Sequence, residues 1–196
     1  MKRKSIMSYA DLYQPTKPFP AQVYNITLII TAFLLLAFSA QLAFPLPISP
    51  VPITAQTLIV LLLAAFLGKK RAGAAVGVYL MQGALGLPVF AAGKSGLGAL
   101  LGPTGGYLFG FLAAAVLVGH LIEQGWDRNL LTSLSALILG NGMIYLCGLL
   151  WLAPVVGPQR VLALGLYPFL TGDLLKIFFA TIVLTFSGQI KSTMSA

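Results

Sequence analysis

The chain has 196 residues, of which 58% are hydrophobic and only 8% charged, and its mean hydropathy is +0.93. That balance excludes an ordinary water-soluble domain and marks a single polytopic membrane domain. One cysteine, Cys147, excludes a disulfide framework or a cysteine-rich metal site within one chain, and no resident cofactor is expected. The net charge of +8 lies in basic residues scattered at the ends of apolar segments, which fits orientation in a lipid bilayer better than nucleic-acid binding.

Residues 1–22 are polar, with Lys2, Arg3, Lys4 and Lys17 set among Pro15, Pro18 and Pro20, and predict a cytoplasmic tail. The next apolar run is too long for a cleaved secretory signal and is expected to be a retained helix. Uncharged runs then fall at Val23 to Phe44, Pro52 to Leu67, Ala72 to Ala92, Thr104 to Ile122, Leu130 to Val156 and Gly172 to Gln189. They predict an all-α integral membrane protein with six transmembrane helices, a membrane domain over 23–190 and a short C-terminal tail over 191–196. Ala55 to Leu67 alone would rise only about 20 Å at 1.5 Å per residue, against a hydrocarbon core of roughly 30 Å, so the second segment must start early or stop short. Ile177 to Gly188 is also too short, which sets the start of the sixth helix near Gly172.

The four basic residues of the tail, the Lys69-Lys70-Arg71 turn, Arg128 and Lys191 fall on one side of these segments, while only Lys94 and Arg160 fall on the other. The positive-inside rule makes the first side cytoplasmic, so both termini face inward and the chain is expected in the cell membrane. Small-residue spacings at Gly73/Gly77, Gly102/Gly106, Gly106/Gly110 and Ala136/Gly140 suit close helix packing within the bundle.

With this orientation, Gln41, Thr54, Gln56, Thr104, Tyr107, Tyr145, Asp173 and Lys176 all come to the outer half of the membrane, with Asn141 about one turn deeper than Tyr145. The uncharged loop from Phe44 to Ile53 carries four prolines, which forbid a continuous helix and suggest a stiff lid. Gly102-Pro103-Thr104-Gly105-Gly106 offers Thr104 as an N-cap and backbone N–H groups at a helix start, suited to a polar or anionic ligand group.

Asp173 and Lys176 stand three residues apart, on one helix face, in otherwise apolar surroundings. A charge at bilayer depth costs at least about 2.5 to 3.5 kcal/mol, so both need partners. Two readings are open: an internal salt bridge, or a binding site in which Asp173 accepts from ligand N–H groups and Lys176 donates to a carbonyl or carboxylate. Gly93-Lys94-Ser95 looks like the end of a phosphate-binding loop, but position 88 is proline and an apolar helix precedes it, so the full pattern fails. His120 is assigned to a structural or interfacial position near the cytoplasmic end of the fourth helix, Cys147 to packing, and Trp151 and Tyr167 to the membrane interface.

The runs Pro50-Val51-Pro52-Ile53-Thr54-Ala55-Gln56-Thr57-Leu58, Gly86-Leu87-Pro88-Val89-Phe90-Ala91, Gly102-Pro103-Thr104-Gly105-Gly106-Tyr107-Leu108 and Phe169-Leu170-Thr171-Gly172-Asp173-Leu174-Leu175-Lys176 resemble the BioY family. These are biotin-binding S components of energy-coupling factor (ECF) vitamin transporters. The resemblance implies a six-helix bundle that captures biotin from outside and works with a transmembrane T component and cytoplasmic ATPases. It also implies that Asp173 and Lys176 contact the ligand, with Gln56, Tyr107, Asn141, Tyr145 and Thr54 as walls. Biotin's ureido ring has two N–H donors for Asp173 and a carbonyl for Lys176. Its carboxylate has the Gly105 and Gly106 N–H groups as candidate partners, and either end of the ligand can point inward. The family's helix-one docking stripe of alanines is replaced by Thr27/Thr31 and Ser39/Ala43. Two other functions compete: a solitary proton-coupled carrier of a small vitamin-like solute, in which Asp173 titrates, and a lipid-acting enzyme. The enzyme is disfavoured, because one histidine, one cysteine and one acid at bilayer depth supply no nucleophile with its base.

Overall fold

A computed structural model describes residues 8–194, with side chains as far as residue 189. Lys2, Arg3, Lys4 and the Lys191 side chain, counted above for orientation, lie outside that description. Helix α1 (Tyr9–Leu12) is a single turn, and α2 (Pro18–Gln41) is the first long helix. It starts five residues before the expected Val23, because Pro18 and Pro20 sit in the first turn, where a missing N–H costs no helical bond. It ends at Gln41 rather than Phe44.

The proline-rich loop that follows is a β-hairpin, which the sequence did not predict. Strand β1 (Ala43–Leu46) pairs antiparallel with β2 (Ser49–Thr54), in the register Ala43 to Thr54, Phe44 to Ile53 and Leu46 to Ser49. In a two-stranded ribbon each strand keeps one free edge, so prolines whose missing N–H faces outward are tolerated.

Helix α3 (Gln56–Ala84) is broken at Gly68, which has φ 75° and ψ 171°. Gln56 Nε2 donates to the Tyr79 hydroxyl at 2.7 Å. In one straight helix those residues would be about 34 Å apart, so α3 folds back at Gly68 into two antiparallel arms, 56–67 and 69–84. A side chain at Gly68 would also strike the Glu123 carboxylate, so the position requires glycine both for its positive φ and for space. Lys69, Lys70 and Arg71, expected as a turn, belong to the second helical arm. That arm stops at Ala84, not Ala92, and a 3₁₀ turn (Ala91–Gly93) and α4 (Gly96–Leu100) follow.

Helix α5 (Gly105–Glu123) matches its expected span within a residue, and α6 (Leu130–Val156) matches on both ends. The Asn129 side chain caps α6 by accepting from Thr132 N at 3.0 Å, and Gly157, with φ 86°, terminates it. After α7 (Val161–Gly165), α8 runs from Tyr167 to Met194. It begins five residues before the expected Gly172, with Pro168 tolerated in its first turn. Asp173 therefore lies about 9 Å into the helix, beyond the turn in which the helix dipole acts.

Helix α5 packs most extensively against α3 on one side and α6 on the other. Cβ atoms at Gly106, Gly110 and Gly140 would collide with Trp151, Ile144 and Val118 respectively, so those small residues do serve packing within the bundle. Four helical stretches among the described residues are long and apolar enough to cross a membrane: Pro18–Gln41, Gly105–Glu123, Leu130–Val156 and Val161–Gln189.

One end of the bundle is tied by polar contacts. Arg71 donates to Asn25, Gln14 and Asp11 at 2.7 to 2.8 Å, Lys69 pairs with Glu123 at 3.4 Å, and Gly188 abuts the Asp127 carbonyl. The β-hairpin, the 85–104 segment and α7 lie at the other end, over the cavity.

Candidate functional site

Beneath the hairpin is a cavity of about 740 Å³, counting the space at its open mouth. Its apolar walls include Val51, Phe90, Leu108, Phe111, Ile144 and Phe169, and its polar lining includes Thr54, Gln56, Thr57, Lys94, Thr104, Tyr107, Tyr145, Asp173 and Lys176. A mostly apolar concavity with a few convergent polar groups has the composition of a small-molecule site.

Asp173 is 5% exposed, and both its oxygens are engaged. Oδ1 accepts from Lys176 Nζ at 2.9 Å and from the Thr57 hydroxyl at 3.3 Å, while Oδ2 accepts from the Tyr145 hydroxyl at 2.6 Å and from Asn141 Nδ2 at 3.4 Å. Lys176 spends its other two protons on the Thr54 carbonyl at 2.8 Å and Thr57 Oγ1 at 3.0 Å. The two readings of the pair are thus not exclusive: a salt bridge forms, and it forms on a cavity wall. Three elements hold it, since α8 supplies the charges, the start of α3 supplies Thr57 with Thr54 just before it, and α6 supplies Asn141 and Tyr145 one turn apart.

The other expected site residues divide. Gln56 and Tyr107 line the cavity, but their polar atoms hold the fold: Gln56 Nε2 is given to Tyr79, and the Tyr107 hydroxyl donates to the Gly165 carbonyl at 2.8 Å, fastening α5 to α7. Asn141 stands behind Asp173 rather than on the cavity wall, and its buried Oδ1 has no hydrogen-bond partner among the described residues. Gly105 and Gly106 do not line the cavity. The Gly105 N–H is used by the Gly102 carbonyl, and a Cβ would meet the Leu100 carbonyl at Gly105 and Trp151 of α6 at Gly106. Thr104 occupies the N-cap position, but its side chain makes no capping bond.

Sequence reasoning missed Thr57 and Lys94. Thr57 stood in plain view beside Gln56, and only the helical start at Gln56 aims it at α8. Lys94 is the single Lys, Arg, Asp or Glu between Arg71 and Glu123, which was a usable signal.

Residues 11–193 match the model of the BioY family. The chain belongs to the BioY family. Among its BioY relatives, the biotin transporter BioY of Thermotoga maritima is 40% identical over 70% of this chain and 81% of its own length. The probable biotin transporter BioY of Pyrococcus horikoshii is 37% identical over 81% and 93%. A solved structure, that of the S component for biotin from an ECF-type ABC transporter, superposes with a TM-score of 0.78 at 25% identity, covering 87% of this chain and 93% of that one. The Asp173 network and the cavity walls therefore lie on a BioY scaffold.

Proposed function

We propose that the chain captures biotin as the substrate-binding S component of an ECF-type vitamin transporter in the cell membrane, and that it is not an enzyme. The observation that carries this reading is the Asp173–Lys176 pair, held by Thr54, Thr57, Asn141 and Tyr145 on the wall of a mostly apolar cavity in a BioY-family chain. Biotin's ureido N–H groups exchange onto Asp173, and its carbonyl onto a Lys176 proton. Hydrogen bonds to charged groups contribute roughly 1.5 to 3 kcal/mol each, and a nanomolar affinity needs about 12 kcal/mol. Burial of the bicyclic ring and aliphatic chain against Phe90, Phe111 and Phe169 supplies the remainder.

The chain crosses the membrane six times, through α2, the two arms of α3, α5, α6 and α8. The hydrogen bond that folds α3 back supports counting its arms separately. Both termini are cytoplasmic, with residues 1–22 and 191–196 flanking a membrane domain at 23–190. The clustering of Lys69, Arg71 and the ends of α5 and α8 at the end opposite the cavity supports this orientation, because basic residues favour the inner face. The cavity then opens outward. Energy comes from a T component and cytoplasmic ATPases, consistent with a chain whose one loop resembling a nucleotide site fails its pattern at Pro88.

Calorimetry of the purified protein with biotin, lipoate and thiamine tests the reading. Heat of binding is expected for biotin, and its absence would overturn the assignment.

A further inference from the structure

The hairpin over the cavity is fixed at its base and beside its turn by different parts of the fold. At the base, the Thr54 carbonyl accepts from Lys176 Nζ at 2.8 Å. Beside the turn, Ser49 Oγ donates to the Leu164 carbonyl at 2.6 Å, and β2 packs against α7. Helix α7 has only five residues, too few to hold its own position. The second anchor is therefore only as firm as whatever fixes α7.

That fixture is a side chain of the cavity wall. The Tyr107 hydroxyl of α5 donates to the Gly165 carbonyl at 2.8 Å, one residue from the carbonyl that Ser49 uses. Two glycines make room for it: a Cβ at Gly148 of α6 would strike the tyrosine ring, and one at Gly165 would strike its hydroxyl, Leu149 and Leu152. Tyr107 is 7% exposed and lines the cavity, yet its one polar side-chain atom is spent on α7. Gly165 is buried, so without that donor its carbonyl is satisfied only if α7 moves toward water. Such a movement carries the neighbouring Leu164 carbonyl away from Ser49.

We infer that Tyr107 is a positioning residue for ligand retention, acting through α7 to keep the hairpin in place over the cavity, with no polar contact of its own to the ligand. The ligand part of the inference rests on the biotin-capture reading. Two hydrogen bonds to adjacent carbonyls, Tyr107 to Gly165 and Ser49 to Leu164, stand in series, so breaking either one frees the same end of the hairpin. Tyr107→Phe keeps the ring on Gly148 and removes only the hydroxyl.

Stopped-flow dissociation of biotin from the full chain tests the series arrangement in wild-type, Tyr107→Phe, Ser49→Ala and doubly substituted forms. Each single change should speed dissociation roughly 3- to 10-fold, as expected for one neutral hydrogen bond, and the double change should add less than about 2-fold to the larger single effect. Hydrogen exchange of the ligand-free protein supplies a readout that does not depend on the ligand. In Tyr107→Phe, amides of 43–54 and 161–166 should exchange faster while those of α5 and α6 keep their wild-type protection. An unchanged off-rate, or single effects that multiply in the double variant, would overturn the inference. So would unaltered exchange in the hairpin, or faster exchange or loss of the fold throughout the bundle, which would make the hydroxyl a general stabiliser. Failure of the wild-type protein to bind biotin would overturn the functional reading instead, and the exchange experiment would still decide whether Tyr107 holds the hairpin.

Discussion

The Asp173–Lys176 pair permits a prediction in which stability and binding part company. Asp173→Asn removes the counterion from Lys176, whose side chain is only 20% exposed and then depends on Thr54 and Thr57 alone. Breaking a buried ion pair from one side costs about 3 to 5 kcal/mol, and the two surviving acceptors put this case near 3. Lys176→Met leaves a carboxylate that is 7% exposed but still held by Thr57, Asn141 and Tyr145, so its cost is also about 3 kcal/mol. The double variant has no stranded charge and should lose no more than about 3 kcal/mol, which gives a coupling of about 3 kcal/mol where independent sites would sum to about 6. Binding should not recover with stability: each single change is expected to weaken biotin at least about tenfold, and the double change at least as much, because ligand-facing hydrogen bonds to charges are gone. SDS-induced unfolding in mixed micelles would measure the first quantity and calorimetry with biotin the second. Additive stability losses would refute the coupled network, and wild-type affinity in both single variants would refute the site.

Three further outcomes follow from other contacts. Ser49 Oγ donates to the Leu164 carbonyl at 2.6 Å and accepts from Val51 N at 3.1 Å, tethering the hairpin to α7, so Ser49→Ala should speed biotin dissociation several-fold at about 1 kcal/mol per lost bond; an unchanged off-rate in stopped flow would remove the hairpin as a lid. A Cβ at Gly83 would collide with the Phe90 ring, so Gly83→Ala should cost about 1 to 3 kcal/mol and weaken biotin by shifting a cavity wall, and an unaltered melting temperature would show that the ring yields freely. Burial tends to raise the Asp11 carboxyl, but hydrogen bonds from Ser8 and Arg71 and the Arg71 charge outweigh it and hold the group below its ordinary range. A lowered folded-state pKa gives stability that is present above the unfolded value, about 3.9, and lost as pH falls through the folded one. Docking of α1 should therefore loosen below about pH 4, seen as faster proteolysis near Tyr13, and Asp11→Asn should flatten that pH dependence.

Hydropathy made most of the rods legible. The bounds of α6 coincide with its uncharged run because Asn129 and Gly157 mark both ends. Span length set the start of α8 near Gly172, five residues late, because a first-turn proline such as Pro168 does not interrupt a helix. Hydropathy also turned Lys69-Lys70-Arg71 into a loop, because charge interrupts hydropathy while lysine and arginine remain good helix formers. The hairpin was illegible for the opposite reason: four prolines argue against strands in general, and only its two-stranded form admits them. Charge in apolar surroundings singled out Asp173 and Lys176, and helix-length arithmetic put Tyr145 at their depth, where its hydroxyl meets Asp173. Gly105 and Gly106, expected beside the ligand, are not among the lining residues, because the rotation of α5 is decided by its packing against α6. No one-dimensional pattern contains that rotation.

The pair also raises the question of why the fold carries it. An apolar pair of similar volume would serve stability as well or better, because desolvation of two ions offsets most of their attraction. Here the cost is larger than a bare pair would need, since Thr54, Thr57, Asn141 and Tyr145 are all committed to it. Those commitments set the positions of one acceptor and one donor before a ligand arrives, so less ordering remains to be done on binding. They also set a discrimination: a ligand that lacks N–H groups or a carbonyl would displace these bonds without replacing them and strand buried charge, at a penalty of several kcal/mol. On the biotin-capture reading, the network contributes little as a structural device and acts instead as a selectivity filter for N–H and carbonyl groups.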